Sequence, residues 1–343
     1  FTDNGVGTLV TGNEILFETT FFVNNSATAG GVLAADQYDT IAFENCQITS
    51  NFATISYGGA IWLEHSCTLS VTNSSFTDNQ AASCGGGIAS SDHSTVSIGG
   101  SVLSGNEADG SGGALCLEEG STYTFTDSNT ISGNFAPVGG GVASYSSSIW
   151  TMAAGSDVVF SENAAERGSA IALMDVVSGD NEISDLSFVE NSASVGGTVY
   201  WVYDATTQAT APAGLDGDGV TWSGNTAPYG THGATQAVQL QGPHAYTVSV
   251  YDADLDPALD FQLRDYYGQL IPINGTTAVY ASIVNASAET CNGRFPFLSG
   301  RDMFGDGVTP SSGVVSFAAL QAYCAPRGSL MLSFEATLGS EIG

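Results

Sequence analysis

One phrase recurs along the chain and constrains the fold more than any other feature. The segment Phe22-Val23-Asn24-Asn25-Ser26-Ala27, followed by Gly30-Gly31-Val32, returns with its second Asn at Asn25, Asn51, Asn79, Asn106, Asn134, Asn163, Asn191 and Asn225, after a truncated copy at Asn4. Successive spacings are 21, 26, 28, 27, 28, 29, 28 and 34. Three residues before each Asn stands a large apolar residue: Phe1, Phe22, Ile48, Phe76, Leu103, Ile131, Phe160, Phe188 and Trp222. An Ala follows two residues after the eight complete copies, and then a Gly-rich pair such as Gly58-Gly59-Ala60-Ile61 or Gly112-Gly113-Ala114-Leu115. A period of this length is the mark of a repeat architecture.

Helical repeats need apolar residues at 3.6 spacing over ten or more positions, and no copy has them. Apolar residues instead alternate with small polar ones, as in Leu69 and Val71 or Val96 and Ile98, in runs of three to five broken by Gly, Asn and Ser. Three such strands per repeat, each turning a corner, make one coil of a parallel β-helix. The expected fold class is therefore all-β: a right-handed β-helix, the hand favoured for parallel crossovers, of about nine coils over residues 1–240. At about 4.8 Å per coil it makes a rod roughly 40 Å long. The eight complete Asn are read as a structural ladder, each amide bonded to its neighbour along the axis at a corner where Asn tolerates left-handed backbone. The Gly pair is read as a second corner needing positive φ or no room for a Cβ.

The tetrapeptides Phe76-Thr77-Asp78-Asn79, Phe160-Ser161-Glu162-Asn163 and Phe188-Val189-Glu190-Asn191, together with the Gly-Gly-Ala pairs, resemble the repeats of chlamydial polymorphic outer-membrane proteins over about residues 1–235. That resemblance implies a right-handed β-helix in a surface passenger or adhesin. After about residue 240 the repeat ceases, and alternating strands follow: Tyr246 to Val250, Leu259 to Leu263, Ala278 to Ser282, Val314 to Phe317 and Leu330 to Phe334. Their spacing suggests an antiparallel sandwich over residues 241–343. The runs Asp265 to Leu270, Leu298 to Gly300 and Gly313 to Phe317 resemble immunoglobulin-like domains of surface proteins. Because Phe1-Thr2-Asp3-Asn4 is itself a repeat phrase, the chain is expected to be a piece of something longer.

Charge limits the partners. Lys+Arg total 5, all of them Arg, against 35 Asp+Glu, for a formal charge of -30. Such a surface repels phosphate backbones and anionic membranes, so no nucleic-acid partner is expected. No apolar run of about 18 residues occurs, so no membrane insertion is expected for this segment. Divalent cations, glycans, other copies of the chain and other surface or filament proteins remain open as partners.

Candidate chemistry is sparse. Polyuronate lyases need a cationic residue beside the acidic sugar, and the repeat region holds only Arg167. Glycosidases need two converging carboxylates. Glu162 and Glu190 stack in adjacent coils but read as an exposed acidic stripe, and Glu118-Glu119 as solvated surface. His65 and His93, 28 apart, with Asp92, read as exposed polar surface in preference to a metal set. The run Asp252, Asp254, Asp256 resembles half a calcium loop, the one place where a cofactor, Ca²⁺, is entertained. Cys291 and Cys324 flank the strands of the second domain and are expected to form a disulfide. Cys46, Cys67, Cys84 and Cys116 occupy different repeat offsets, so axial stacking does not pair them and their connectivity is open. Asn24, Asn73, Asn274 and Asn285 begin glycosylation sequons. The expected role is a non-enzymatic, structural or adhesive extracellular or cell-surface protein. The competing class is a carbohydrate-active β-helix enzyme or carbohydrate-binding module. Tyr57 and Trp62, at outward parity, would serve a subunit interface or a sugar platform.

Overall fold

The computed structural model describes residues 8–11, 14–174, 184–203, 211–215, 217, 219–242, 259–272, 278–284, 297–299, 309, 311–317, 320–323 and 331–337. Among them there is no helix, and the chain divides into two units, Phe1–Thr235 and Gln236–Gly343.

The first unit is a parallel β-helix. A representative coil runs through Ile61–Leu63, Thr68–Thr72, Ser75–Thr77 and the two-residue strand Gln80–Ala81. Each strand pairs in parallel with its counterpart one coil away, Leu69 lying between Ile41 and Val96 and Phe76 between Ile48 and Leu103. Three long sheets result, of nine, six and eight strands, with a short fourth sheet of four strands that a two-stranded piece resumes later in the unit. The coil is thus four-cornered. Nine coils are present in the first sheet only; the second sheet limits the coils complete on all three long sides to six among the described residues.

The period-two pattern sorts the side chains. Phe22, Ile48, Phe76, Leu103, Ile131, Phe160 and Phe188 form one internal column, none more than 4% exposed. Where two aromatics meet they stack, Phe160 on Phe188 at 5.4 Å and Phe188 on Trp222 at 4.4 Å. Full burial of each such side chain stabilises by about 1.5–3 kcal/mol. At the solvent side of the second sheet, Thr40, Thr68, Thr95 and Thr122 share one row and Ser70, Ser97, Thr124 and Thr151 another.

The Gly corner divides its labour. Gly58 has φ +66°, and a Cβ there would strike the carbonyl of Ile61; one on Gly59 would strike the carbonyl of Gly86 in the next coil. One glycine turns the chain and the other lets two coils approach.

The second unit is antiparallel. Gln239–Gln241, Leu259–Arg264 and Val314–Phe317 form one sheet, Ala278–Val284 pairs with Met331–Thr337, and Phe297–Ser299 with Gln321–Tyr323. Leu259, Phe261, Val279, Val315, Phe317 and Leu320 form its core, with Phe334 against Phe261 and Phe317 at 4.3 and 5.1 Å. The strand Gln239–Gln241 straddles the boundary read from the sequence and pairs within this second unit.

Candidate functional site

Buried polar side chains occupy three of the corners. Seven consecutive links join Asn25 to Asn225, with Nδ2 of each Asn donating to Oδ1 of the next at 2.9–3.0 Å. The same Oδ1 accepts from the preceding Asn backbone N–H, as from Asn79 to Asn106 at 3.1 Å. The second Nδ2 hydrogen goes to the carbonyl of the apolar residue one coil back, as from Asn106 to Phe76 at 3.0 Å. An interior ladder amide therefore uses both donors and both acceptor sites of its oxygen, which removes the penalty of burying it.

One expectation is corrected here. The left-handed residue at this corner is the one before the ladder Asn: Asn24, Ser50, Asp78, Gly105, Gly133, Glu162, Glu190 and Gly224 have φ between 53° and 67°. Asn is required for its amide, and the turn falls on an exposed neighbour. Glu162 and Glu190 occupy that exposed turn position in adjacent coils.

Two further polar columns had no single-residue signature. Asp39, Cys67, Ser94, Ser121 and Ser148 line the corner between the first and second sheets, all at most 1% exposed. At the next corner Cys46 N–H donates to Ser74 Oγ at 2.9 Å, Ser74 to Ser101 Oγ at 3.1 Å, and Ser101 to Asn129 Oδ1 at 3.0 Å. Cys46 and Cys67 are free thiols standing in serine positions. Cys67 Sγ lies 3.0 Å from the Glu64 carbonyl, and burial pushes its thiol pKa up.

Cys84 and Cys116 form a disulfide with Cα atoms 5.8 Å apart. Equal offset does not bring them together. Ala89, in the same coil as Cys84, pairs with Cys116, and Cys84 reaches diagonally from its corner onto the outer side of that pair.

His65 sits between carboxylates of two neighbouring coils, Nδ1 2.6 Å from Asp36 Oδ1 and Nε2 3.6 Å from Asp92 Oδ2, while His93 Nδ1 lies 3.1 Å from Asp92 Oδ1. The stacked partner of His65 is thus Asp92, not His93, and both imidazole nitrogens of His65 face acids. The hydrogen bond to Asp36 chiefly raises the His65 pKa, against an opposing effect of desolvation.

The outward aromatics lie beside the disulfide. Tyr57 stacks on Trp62 at 4.7 Å, and both pack with Tyr145 on Cys84, Ala89 and Cys116. The Glu118 carboxylate lies within 4.8 Å of both sulfurs. Burial, then the charge of Glu119, raises its pKa, and its own charge is the first cause of a raised Tyr57 pKa. Both sulfurs are committed to the disulfide and cannot act as thiolate metal ligands.

Of the sequons, Asn24 and Asn73 are exposed turn residues with φ 54° and 48°. Asn274, Asn285, Cys291, Cys324, Asp252, Asp254 and Asp256 lie outside the described residues.

A profile of the right-handed β-helix region family matches residues 1–130 and 31–211. The chain belongs to that family of right-handed parallel β-helices. No curated protein and no solved structure matched it. Among the described residues no helix is long and apolar enough to cross a membrane.

Proposed function

We infer that this chain is a structural or adhesive segment of an extracellular or cell-surface protein, a stalk or filament element whose partners are further copies of itself, other surface proteins or glycans. The observation that carries this reading is the unbroken Asn ladder from Asn25 to Asn225. An interior whose amides are fully bonded from Asn51 to Asn191 favours a stiff spacer, since local opening must break several buried hydrogen bonds at once. The disulfide between adjacent coils supports an oxidising compartment. On the same reading the second unit is an immunoglobulin-like sandwich, Asn24 and Asn73 carry glycans, and acid-rich surfaces are bridged by Ca²⁺.

The test is electron microscopy of the purified chain in low and high salt with and without Ca²⁺, alongside antibody labelling of intact cells. End-to-end or lateral assembly and surface labelling support the reading; intracellular labelling with no assembly overturns it. The second reading, a carbohydrate-active or carbohydrate-binding module, draws on the outward Tyr57–Trp62 stack. Depolymerisation of a polysaccharide panel, or saturable binding to one, would favour it.

A further inference from the structure

Around the Cys84–Cys116 disulfide the outer surface of the first sheet carries a charge that no described residue neutralises. Glu118 follows Cys116 by two residues, so strand alternation directs it to the same side, and its carboxylate comes within 4.8 Å of both sulfurs. Tyr57 and Trp62, stacked at 4.7 Å, stand with Tyr145 around the same disulfide. The Tyr145 hydroxyl lies 2.8 Å from Ser111 Oγ, which ties that ring to the neighbouring corner. Glu118 is half-buried, and among the described residues no basic group comes into ion-pair range of it. The nearest charge, Glu119, has the same sign.

A carboxylate withdrawn from water is unfavourable until a counter-charge arrives, and aromatic rings offer their negative faces to cations. We propose that the Glu118 notch seats the cationic side chain of an arginine or lysine presented by a partner protein. The guanidinium or ammonium group packs against the Tyr57–Trp62 pair and ion-pairs with Glu118. A hard divalent ion fits poorly, because it needs six or more oxygen ligands and this notch supplies one carboxylate. The chain's net charge of -30 attracts basic partners over long range, and the notch gives that attraction a fixed address. The site requires the β-helix alone, so it stands or falls separately from the extracellular reading.

The experiment titrates the full chain with a capped Gly-Arg-Gly peptide in 0.15 M NaCl, followed by NMR. Glu118→Gln is compared with Glu162→Gln, which removes the same charge at the exposed turn of the Asn corner, one coil on and on a different side of the coil. Saturable binding is expected in the parent chain, weakened at least tenfold by Glu118→Gln and less than twofold by Glu162→Gln. Methylguanidinium should compete; methyl glucoside and CaCl₂ should not. Tyr57→Leu, which leaves the charge in place, should weaken binding several-fold and serves if Glu118→Gln does not fold. Equal losses in the two Gln variants, absence of saturation, or displacement by methyl glucoside or Ca²⁺ would overturn the assignment.

Discussion

At one corner of the solenoid the polar column is asparagine throughout, buried from Asn25 to Asn191 and ending at half-buried Asn225. At the two corners flanking the second sheet the column changes identity, from Asp39 through Cys67 to Ser94, and from Cys46 through Ser74 and Ser101 to Asn129. The difference lies in how many groups the side chain at each corner bonds. At the Asn corner the side chain bonds a backbone N–H, a backbone carbonyl and its own copy, and only a planar amide can reach all three together. At the corner after the second sheet one N–H needs an acceptor, and the side chain hands its own proton to a nearby carbonyl, as Ser101 Oγ does to Gly99 at 2.9 Å. At the corner before it the Ser121 and Ser148 N–H groups bond to the carbonyls of Glu118 and Tyr145, and their hydroxyls have no partner among the described residues. A thiol can do part of that task, so Cys46 and Cys67 are tolerated there.

The most severe test of this contrast is Asn106→Ala. It strips the Asn79 N–H of its acceptor, removes a donor from the Phe76 carbonyl and cuts the axial link on both sides. A loss of about 3–5 kcal/mol in denaturant unfolding is expected; a loss below about 1 kcal/mol would mean that the ladder accompanies stability without supplying it. Replacing Cys84 and Cys116 by serine should cost about 2–4 kcal/mol, and a reductant should reproduce that shift in the parent protein but leave the variant unchanged. Ser101→Ala should cost about 1–3 kcal/mol, with Ser101→Cys recovering part of it, as the thiol at Cys46 implies. Equal costs at Ser101 and Asn106 would erase the distinction between the corners.

Two smaller effects are read against pH. Glu118 is held above the ordinary carboxylate pKa of about 4.3, so the folded state keeps a proton that the unfolded state has released. Stability should therefore fall as pH rises from about 4.3 through the folded-state value. Glu118→Gln should remove that fall and be the more stable chain at neutral pH, measured as Tm against pH. His65 is also raised, with the opposite consequence for the charged form. Its contribution is fully present below the unfolded pKa of about 6.5 and is lost as pH climbs through the folded value. His65→Asn should flatten that slope; the effect is the smallest of the set because the pair is solvent-exposed.

Much of the first unit was legible because coils stack at nearly constant offset. The column from Phe22 to Trp222, the Asn positions and the Gly corner are all same-offset relations, and a period in one dimension carries them directly. The connectivity of Cys46 and Cys67 stayed open because serine columns have no conspicuous spelling; a thiol replacing Ser becomes visible only beside its stacked neighbours. Cys84 and Cys116 went unpaired in the sequence reading for a related reason. Their separation of 32 residues is one coil plus the step from a corner to the outer side of a strand, and no repeat length reports that diagonal. In the second unit, Leu259 to Leu263 and Val314 to Phe317 were readable as strands from alternation, while their antiparallel partnership through Phe261 and Val315 was not.

From the chain alone came the period, the inward aliphatic and aromatic column, and the need for an amide at one corner; each follows from burying identical positions on top of one another. Only the folded arrangement decided which corner residue takes the left-handed turn, that Cys84 reaches Cys116, that His65 lies between Asp36 and Asp92, and that Glu118 sits beside aromatics with no basic partner among the described residues. Those contacts cross from one offset to another, so they depend on the angle at which each corner releases its side chain, a quantity that packing sets and spacing does not encode.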